Sequence, residues 1–337
     1  MAAVVAVFLF IGVIAYCLLG GADFGAGFWD LTAGGAARGR RRRHLVDTSL
    51  GPVWEANHTW LIYCLVILWS GFPRAFAAIT TTLYLPLGLA ALGIVLRGAG
   101  FAFRKAAFRT PEQRVYGLAF ALSSVLTPFC FGAVAGGIAS GRVPTRGAGD
   151  PVTAWLNPTS ALGGVLAVAV CAYLAAAYLR VEAHRRSAPD LEHHFRTMAL
   201  LAGLGTGAIS IAGIFVLRYD APHLWHQLSH RAVPLVVVAA LCGAASVALV
   251  ATGRITGLRL LAGAAVTVIV LGWGVAQYPY LLGTHLTVDE AAAPVPTLKV
   301  LVGVAVTAGV LILPSLVLLF RLAGRGRLGM SYDDVSH

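Results

Sequence analysis

Charge is what this chain has least of. Only 12% of its 337 residues are Asp, Glu, Lys or Arg, while 58% are hydrophobic and the mean hydropathy is +0.80. A soluble protein of this length could not cover its surface with so few charges, so the composition is that of a polytopic membrane protein. Lysine is nearly absent, at Lys105 and Lys299 alone, and arginine takes its place. That substitution points to GC-rich coding, not to a mechanism. Cysteine is sparse. Cys17, Cys64, Cys130, Cys171 and Cys242 all fall in apolar segments, no two at zinc-like spacing, and read as small buried residues. The first 20 residues have neither a basic leader nor a small-residue cleavage site, so they are expected to stay as a first helix. Walker, Rossmann and hydrolase motifs are absent. A sequence pI of about 9.9 suggests nucleic acid at first sight. The basic residues lie between apolar runs, however, where membrane topology puts them, and nucleic acid is not an expected partner.

What the chain does have is length enough in its apolar runs. Nine segments reach the ~20 residues needed to span a bilayer. They are approximately 3–31, 51–72, 75–96, 116–140, 159–180, 197–217, 233–252, 257–278 and 297–321. No strand-like alternation competes with them, and backbone groups in lipid are satisfied most simply by helices. The intervening loops are too short for a folded domain, so residues 1–337 are expected to form one integral membrane domain. With the N-terminus outside, the inner loops collect 19 of the 25 basic residues, among them Arg40 to Arg43, Arg97, Arg104, Arg180, Arg185 and Arg254. This bias puts the C-terminus in the cytoplasm. The run from Arg38 to His44 reads as a topology anchor, compatible with anionic lipid headgroups.

Two carboxylates interrupt the apolar runs. Asp23 sits in Leu19-Gly-Gly-Ala-Asp-Phe-Gly-Ala-Gly-Phe28, and Glu55 in Gly51-Pro-Val-Trp-Glu-Ala-Asn-His-Thr-Trp60. An ionisable group at the centre of a membrane helix costs roughly 3 kcal/mol or more, so such groups usually mark an ion or proton path. Gly20, Asp23, Gly27 and Asp30 recur at three and four residues and share a helix face, with glycines that permit close helix packing. Pro52 suits a first helical turn, and Glu55 follows near that helix's N-terminus, where negative charge is favoured. At 1.5 Å per residue, Asp23 lies roughly 13 Å and Glu55 roughly 6 Å from the cytoplasmic end. The pair is expected to form a two-step proton ladder, with Asn57 and His58 beside Glu55. The alternative is structural, in which helix N–H groups or a buried arginine such as Arg97 satisfy the acids. His223, His226 and His230 share a helical spacing but read as surface residues, and His58 as a hydrogen-bonded core histidine. Trp54, Trp60 and Trp69 read as interface or packing aromatics. No metal site is expected.

These motifs resemble the second subunit of cytochrome bd-type quinol oxidases. Gly21-Ala-Asp-Phe-Gly-Ala-Gly27 is similar to that family's G-F-D-x-G-x-G. Gly51-Pro-Val-Trp-Glu-Ala-Asn-His58 with Trp60-Leu-Ile62 is similar to its P-x-W-D-G-N-x-x-W-L. Phe72-Pro73, Tyr84-Leu-Pro86, Leu96-Arg97-x-x-Gly100-Phe101-x-x-Arg104 and Asn157-Pro158 follow in the family's order. The resemblance implies two four-helix bundles plus one peripheral helix, in a bacterial plasma membrane. It implies a haem-bearing subunit I that holds haems b and d and oxidises quinol, either menaquinol or ubiquinol. This chain would bind no haem through its own ligands. It would supply a proton path through Asp23 and Glu55, with Asn57 and His58, and a groove for structural quinone or lipid. Trp54, Arg97 and Arg104 become candidate haem-propionate or channel contacts, and small single-helix accessory subunits become candidate partners. Glu55, Ala56 and His58 depart from the family's usual residues, and Glu55 keeps the carboxyl group one methylene further out. The competing class is a proton-coupled secondary transporter, which would also carry midplane acids but would purify alone and colourless.

Overall fold

The structure, a computed structural model, describes the backbone of residues 1–50, 54–106 and 110–324. Within those spans the side chains at 36–38, 50, 54–56, 104–106, 110–114, 313, 320, 323 and 324 lie outside the described set. In chain order the helices are α1 (Ala2–Leu31), α2 (Ala36–Leu50), α3 (Trp54–Gly71), α4 (Pro73–Thr82), α5 (Tyr84–Ala106), α6 (Thr110–Ala139), α7 (Pro158–Arg185), α8 (Pro189–Asp220), α9 (Pro222–His230), α10 (Val233–Ala251), α11 (Leu258–Gln277), α12 (Val288–Ala291) and α13 (Val295–Gly324). Among the described residues, eight helices are long and apolar enough to cross a membrane. The pair Asn57–Gly71 and Pro73–Thr82, bent by 116°, makes nine if counted as one span.

Eight of the nine expected segments coincide with long helices, and the third is displaced. Residues 75–96 are not one helix. Pro73 opens α4 at its first position, where a missing N–H costs nothing. Pro86 has no N–H for the carbonyl of residue 82, and its ring crowds that carbonyl, so the helix breaks at Leu83 and α5 restarts at Tyr84. The span therefore runs on to Ala106. Arg97, expected in an inner loop, instead lies about 14 Å before the end of α5 and is buried. Arg180, also expected at a loop, lies inside α7 and is buried.

Two loops prove to be structured. The arginine-rich stretch forms α2, whose Leu45 and Val46 enter the core beside Trp29, Ala172 and Ala176 while Arg40 and Arg41 face out. Residues 280–287 carry a short antiparallel pair, β1 (Tyr280–Leu282) and β2 (Leu286–Thr287). Runs this short leave no readable alternation. A capping box between Thr287 and Glu290 then starts α12, and Ala293 N–H donates to the Gly71 carbonyl at 2.8 Å.

α1 is the central helix. It packs on α3, α6 and α7, and α5 packs on α6. α7 packs on α8 and α11, α10 on α8 and α11, and α13 lies against α3 and α1. One apolar cluster surrounds the start of α1 at Ala2, Val5 and Leu9, and another its end at Ala26 and Trp29. Outward faces carry Leu201, Leu204 and Phe215 on α8, Leu241 on α10 and Val300, Val310 and Leu311 on α13, all exposed. A bilayer, not water, is the solvent that suits them.

Candidate functional site: a buried polar seam on the central helix

Between its two apolar ends, α1 uses glycine on two sides. A Cβ at Gly25 would overlap the backbone carbonyl of Cys171 on α7, and one at Gly27 would strike Ser124 on α6 and the Arg97 guanidinium from α5. Only a residue without a side chain lets these helices approach so closely. The sequence pattern anticipated the Gly27 face. It missed the Gly25 face, so that nearly every residue from Gly20 to Asp30 is buried.

Asp23 is 2% exposed and meets Arg97, also 2% exposed. Arg97 Nη2 donates to Asp23 Oδ1 at 2.6 Å and to the Asp23 carbonyl at 2.9 Å. Its Nη1 donates to Ser124 Oγ, and Ser124 donates to the Phe120 carbonyl. The guanidinium carbon also lies 5.1 Å from the Phe24 ring centre and 4.4 Å from that of Phe120, within cation–π range. A buried arginine partner, the structural alternative raised by the sequence, is thus present for one carboxylate oxygen. The other, Asp23 Oδ2, is buried without a hydrogen-bond partner.

The seam continues toward the start of α1. Tyr16, Gly20, Asp23 and Gly27 form one stripe at helical spacing, and Ser124, Thr127 and Phe131 form the facing stripe of α6. The Tyr16 ring meets Phe131 edge-on at 6.0 Å, while Ser124 lies at the level of Gly27, so the two helices run in opposite directions. Tyr16 Oη and Thr127 Oγ1 are buried without hydrogen-bond partners, as is Asn57 Oδ1 on α3. His58 packs edge-on against Tyr16 at 6.3 Å and Phe24 at 6.1 Å, which brings α3 to the same stretch of α1. The structure therefore brings Asp23, Arg97 and His58 into one neighbourhood, with Asn57 buried next to His58 in the chain. Glu55 is the second residue of α3, but its side chain and those of Trp54 and Arg104 lie outside the described residues.

Tyr16, Ser124 and Thr127 escaped the sequence reading because single hydroxyls are common in membrane helices. The available signal was the i, i+3 spacing of Ser124 and Thr127 in an apolar run, which favours an interior face. Elsewhere, Asp30 pairs with Arg43 of α2 at 3.0 Å. At the opposite end of the bundle, Asp220 takes both Arg142 nitrogens, at 2.6 and 3.0 Å, and two hydrogen bonds from Thr159. The three histidines of α9 do not converge. His226 and His230 stack at 4.2 Å, and His223 turns to Tyr280. Among the described residues no group of three or more His, Cys, Asp or Glu is placed to hold a metal ion.

Comparison with known proteins gives one consistent result. The family model described as cytochrome bd terminal oxidase subunit II matches residues 1–323. The chain is 25% identical over 244 residues to the cytochrome bd ubiquinol oxidase subunit 2 of Bacillus subtilis, which covers 69% of this chain and 67% of that protein. It is 25% identical over 221 residues to the cytochrome bd-I ubiquinol oxidase subunit 2 of Escherichia coli K12, covering 62% and 56%. Its fold matches a chain of the bd oxidase from Geobacillus thermodenitrificans with a TM-score of 0.76 at 24% identity, over 95% of this chain and 98% of that one.

Proposed function

Because the chain belongs to the cytochrome bd terminal oxidase subunit II family, we propose that it is the second subunit of an oxidase that oxidises quinol and reduces dioxygen to water, and that it admits protons along the seam around Asp23. It is a multi-pass membrane protein. The family match selects this class over a secondary transporter.

The observation that carries the proton reading is Asp23 itself. One oxygen is anchored by Arg97 and the other is open, deep in an apolar helix. Arg97 holds the carboxylate in place, and Oδ2 stays available to a donor. The unpaired oxygens of Tyr16, Thr127 and Asn57 supply further sites for the ordered water that a proton chain needs. Glu55, at the start of α3, is the entry station; Asn57 and His58 follow it in that helix, and His58 packs on Tyr16 and Phe24 of α1. The bias of basic residues toward one side of the spans supports an entry in the cytoplasm and an N-terminus outside.

In this reading α1, α3, α5 and α6 form one four-helix bundle, and α7, α8, α10 and α11 the other. α13 is the peripheral helix. The partner is a haem-bearing subunit I with haems b and d and the quinol site, and this chain scaffolds it. Structural quinone or lipid and small single-helix subunits complete the assembly.

The complex purified through a tag on this chain should carry haem b and d absorption and oxidise quinol; a lone, colourless chain overturns the oxidase reading. In that complex Glu55→Gln should lower oxygen consumption by roughly a hundredfold, the lower end of what a lost proton-transfer group costs. The loss should appear in turnover more than in quinol affinity, and Glu55→Asp should retain more activity. Asp23→Asn is best combined with Arg97→Gln, so that no buried cation is left unpaired. If Glu55→Gln and the double variant respire at the wild-type rate with normal haem, the acids are structural.

A further inference from the structure

A second fully buried arginine has no hydrogen-bond partner among the described residues. Arg180, near the end of α7, is 0% exposed, and its Nε, Nη1 and Nη2 all lack hydrogen-bond partners. A buried cation in that state is costly unless something outside the chain satisfies it. Arg180 lines a cavity of about 190 Å³ together with Pro189, Glu192, His193, Arg196 and Gly253. The space is several times the ~30 Å³ share of one water. His193, Pro189 and Gly253 are exposed, so the cavity opens at the arginine-rich end of the bundle.

The walls favour an anion. Pro189 is the first residue of the 32-residue helix α8, whose N-cap Ala188 offers no side-chain cap, so the positive end of the helix dipole lies at the cavity wall. Of the acids of that turn, Asp190 pairs with Arg41 at 2.6 Å, while Glu192 lines the cavity and gives one oxygen to His184 at 2.9 Å, which leaves Arg180 and Arg196 as two positive charges against one negative. Arg196 holds the carbonyls of Val250 and Ala251 at the end of α10 and brings a second positive charge to the cavity. Arg180 lies five residues before the end of α7, about 8 Å along the axis, which is headgroup depth for a spanning helix. An arginine fork matches the paired oxygens of a phosphate.

We propose that this cavity binds a phosphate group, with the Arg180 guanidinium at its base, Arg196 and the start of α8 as its walls, and His193 at its mouth. The phosphate belongs either to an anionic phospholipid or to free inorganic phosphate, since both present the same oxyanion.

The test uses the purified complex, delipidated in detergent, and follows thermal unfolding during titration with phosphatidylglycerol, phosphatidylcholine or inorganic phosphate. Wild type should gain stability with phosphatidylglycerol or with inorganic phosphate, and the arm that responds names the source. Arg180→Met should abolish the response. His193→Glu changes only an exposed residue at the mouth, so it keeps the test valid if Arg180→Met fails to assemble. It should weaken half-saturation by about tenfold, the equivalent of one charge-assisted contact. If neither ligand stabilises wild type more than phosphatidylcholine does, or if both variants respond like wild type, the cavity holds only water and the proposal fails.

Discussion

Arg97 and Arg180 are buried alike but meet different surroundings. Arg97 is enclosed by its own chain, with Asp23, a carbonyl, Ser124 and two aromatic rings around its guanidinium. Arg180 is enclosed by a cavity wall and finds no hydrogen-bond partner among the described residues, with Glu192 on the same wall. Burial alone therefore does not define what a charge does here. A charge satisfied within the fold pins three helices together, because α1, α5 and α6 all contribute to its shell. A charge left unsatisfied at the rim of the bundle is an offer to something else. The two sites also lie in different places: Arg97 beside the central helix, Arg180 where three helix ends meet at the membrane surface.

The comparison breaks first at Arg97. Arg97→Gln should cost about 3–5 kcal/mol, because it strands the buried Asp23 carboxylate without its cation. Adding Asp23→Asn should recover much of that loss, and thermal unfolding of the purified complex measures both. Equal stability of the single and double variants would show that the pair is not coupled. Arg180→Met sharpens the contrast. Without added phosphate or anionic lipid it should shift stability by only about 1 kcal/mol, on the stabilising side, since it removes an uncompensated buried cation. A loss as large as that of Arg97→Gln would mean that Arg180 has an internal role. The smallest effect belongs to Arg41→Ala. Its pair with Asp190 is short, but both side chains are more than half exposed, so about 0.5 kcal/mol or less should be lost, and less still in high salt.

Much of this molecule is legible in its amino-acid sequence. Composition and run length are enough to define a polytopic helical membrane protein, because lipid forces each span to satisfy its own backbone. Asp23 was legible for the same reason, as an expensive residue in an apolar run. Arg97 was misplaced because hydropathy registers average charge along a window and not where a helix breaks. Pro73 and Pro86 were visible, but not the 116° bend at Pro73 or the restart of α5 at Tyr84, which together carry Arg97 into the helix. The arginine-rich stretch read as a loop because its polar residues outnumber its apolar ones, yet Leu45 and Val46 suffice to seat α2 on the core.

The sequence by itself determined the solvent, the number of spans to within one, the family motifs and the candidate acids. These follow from local chemistry, the cost of charge and backbone in lipid. The tertiary structure alone decided partnership: that Arg97 meets Asp23 across 74 residues of chain, that Ser124 completes their shell, and that Arg180 finds no hydrogen bond among the described residues. Pairing between distant residues depends on helix rotation and crossing, which glycines such as Gly25 and Gly27 set by how closely they let backbones approach. No local pattern encodes that distance.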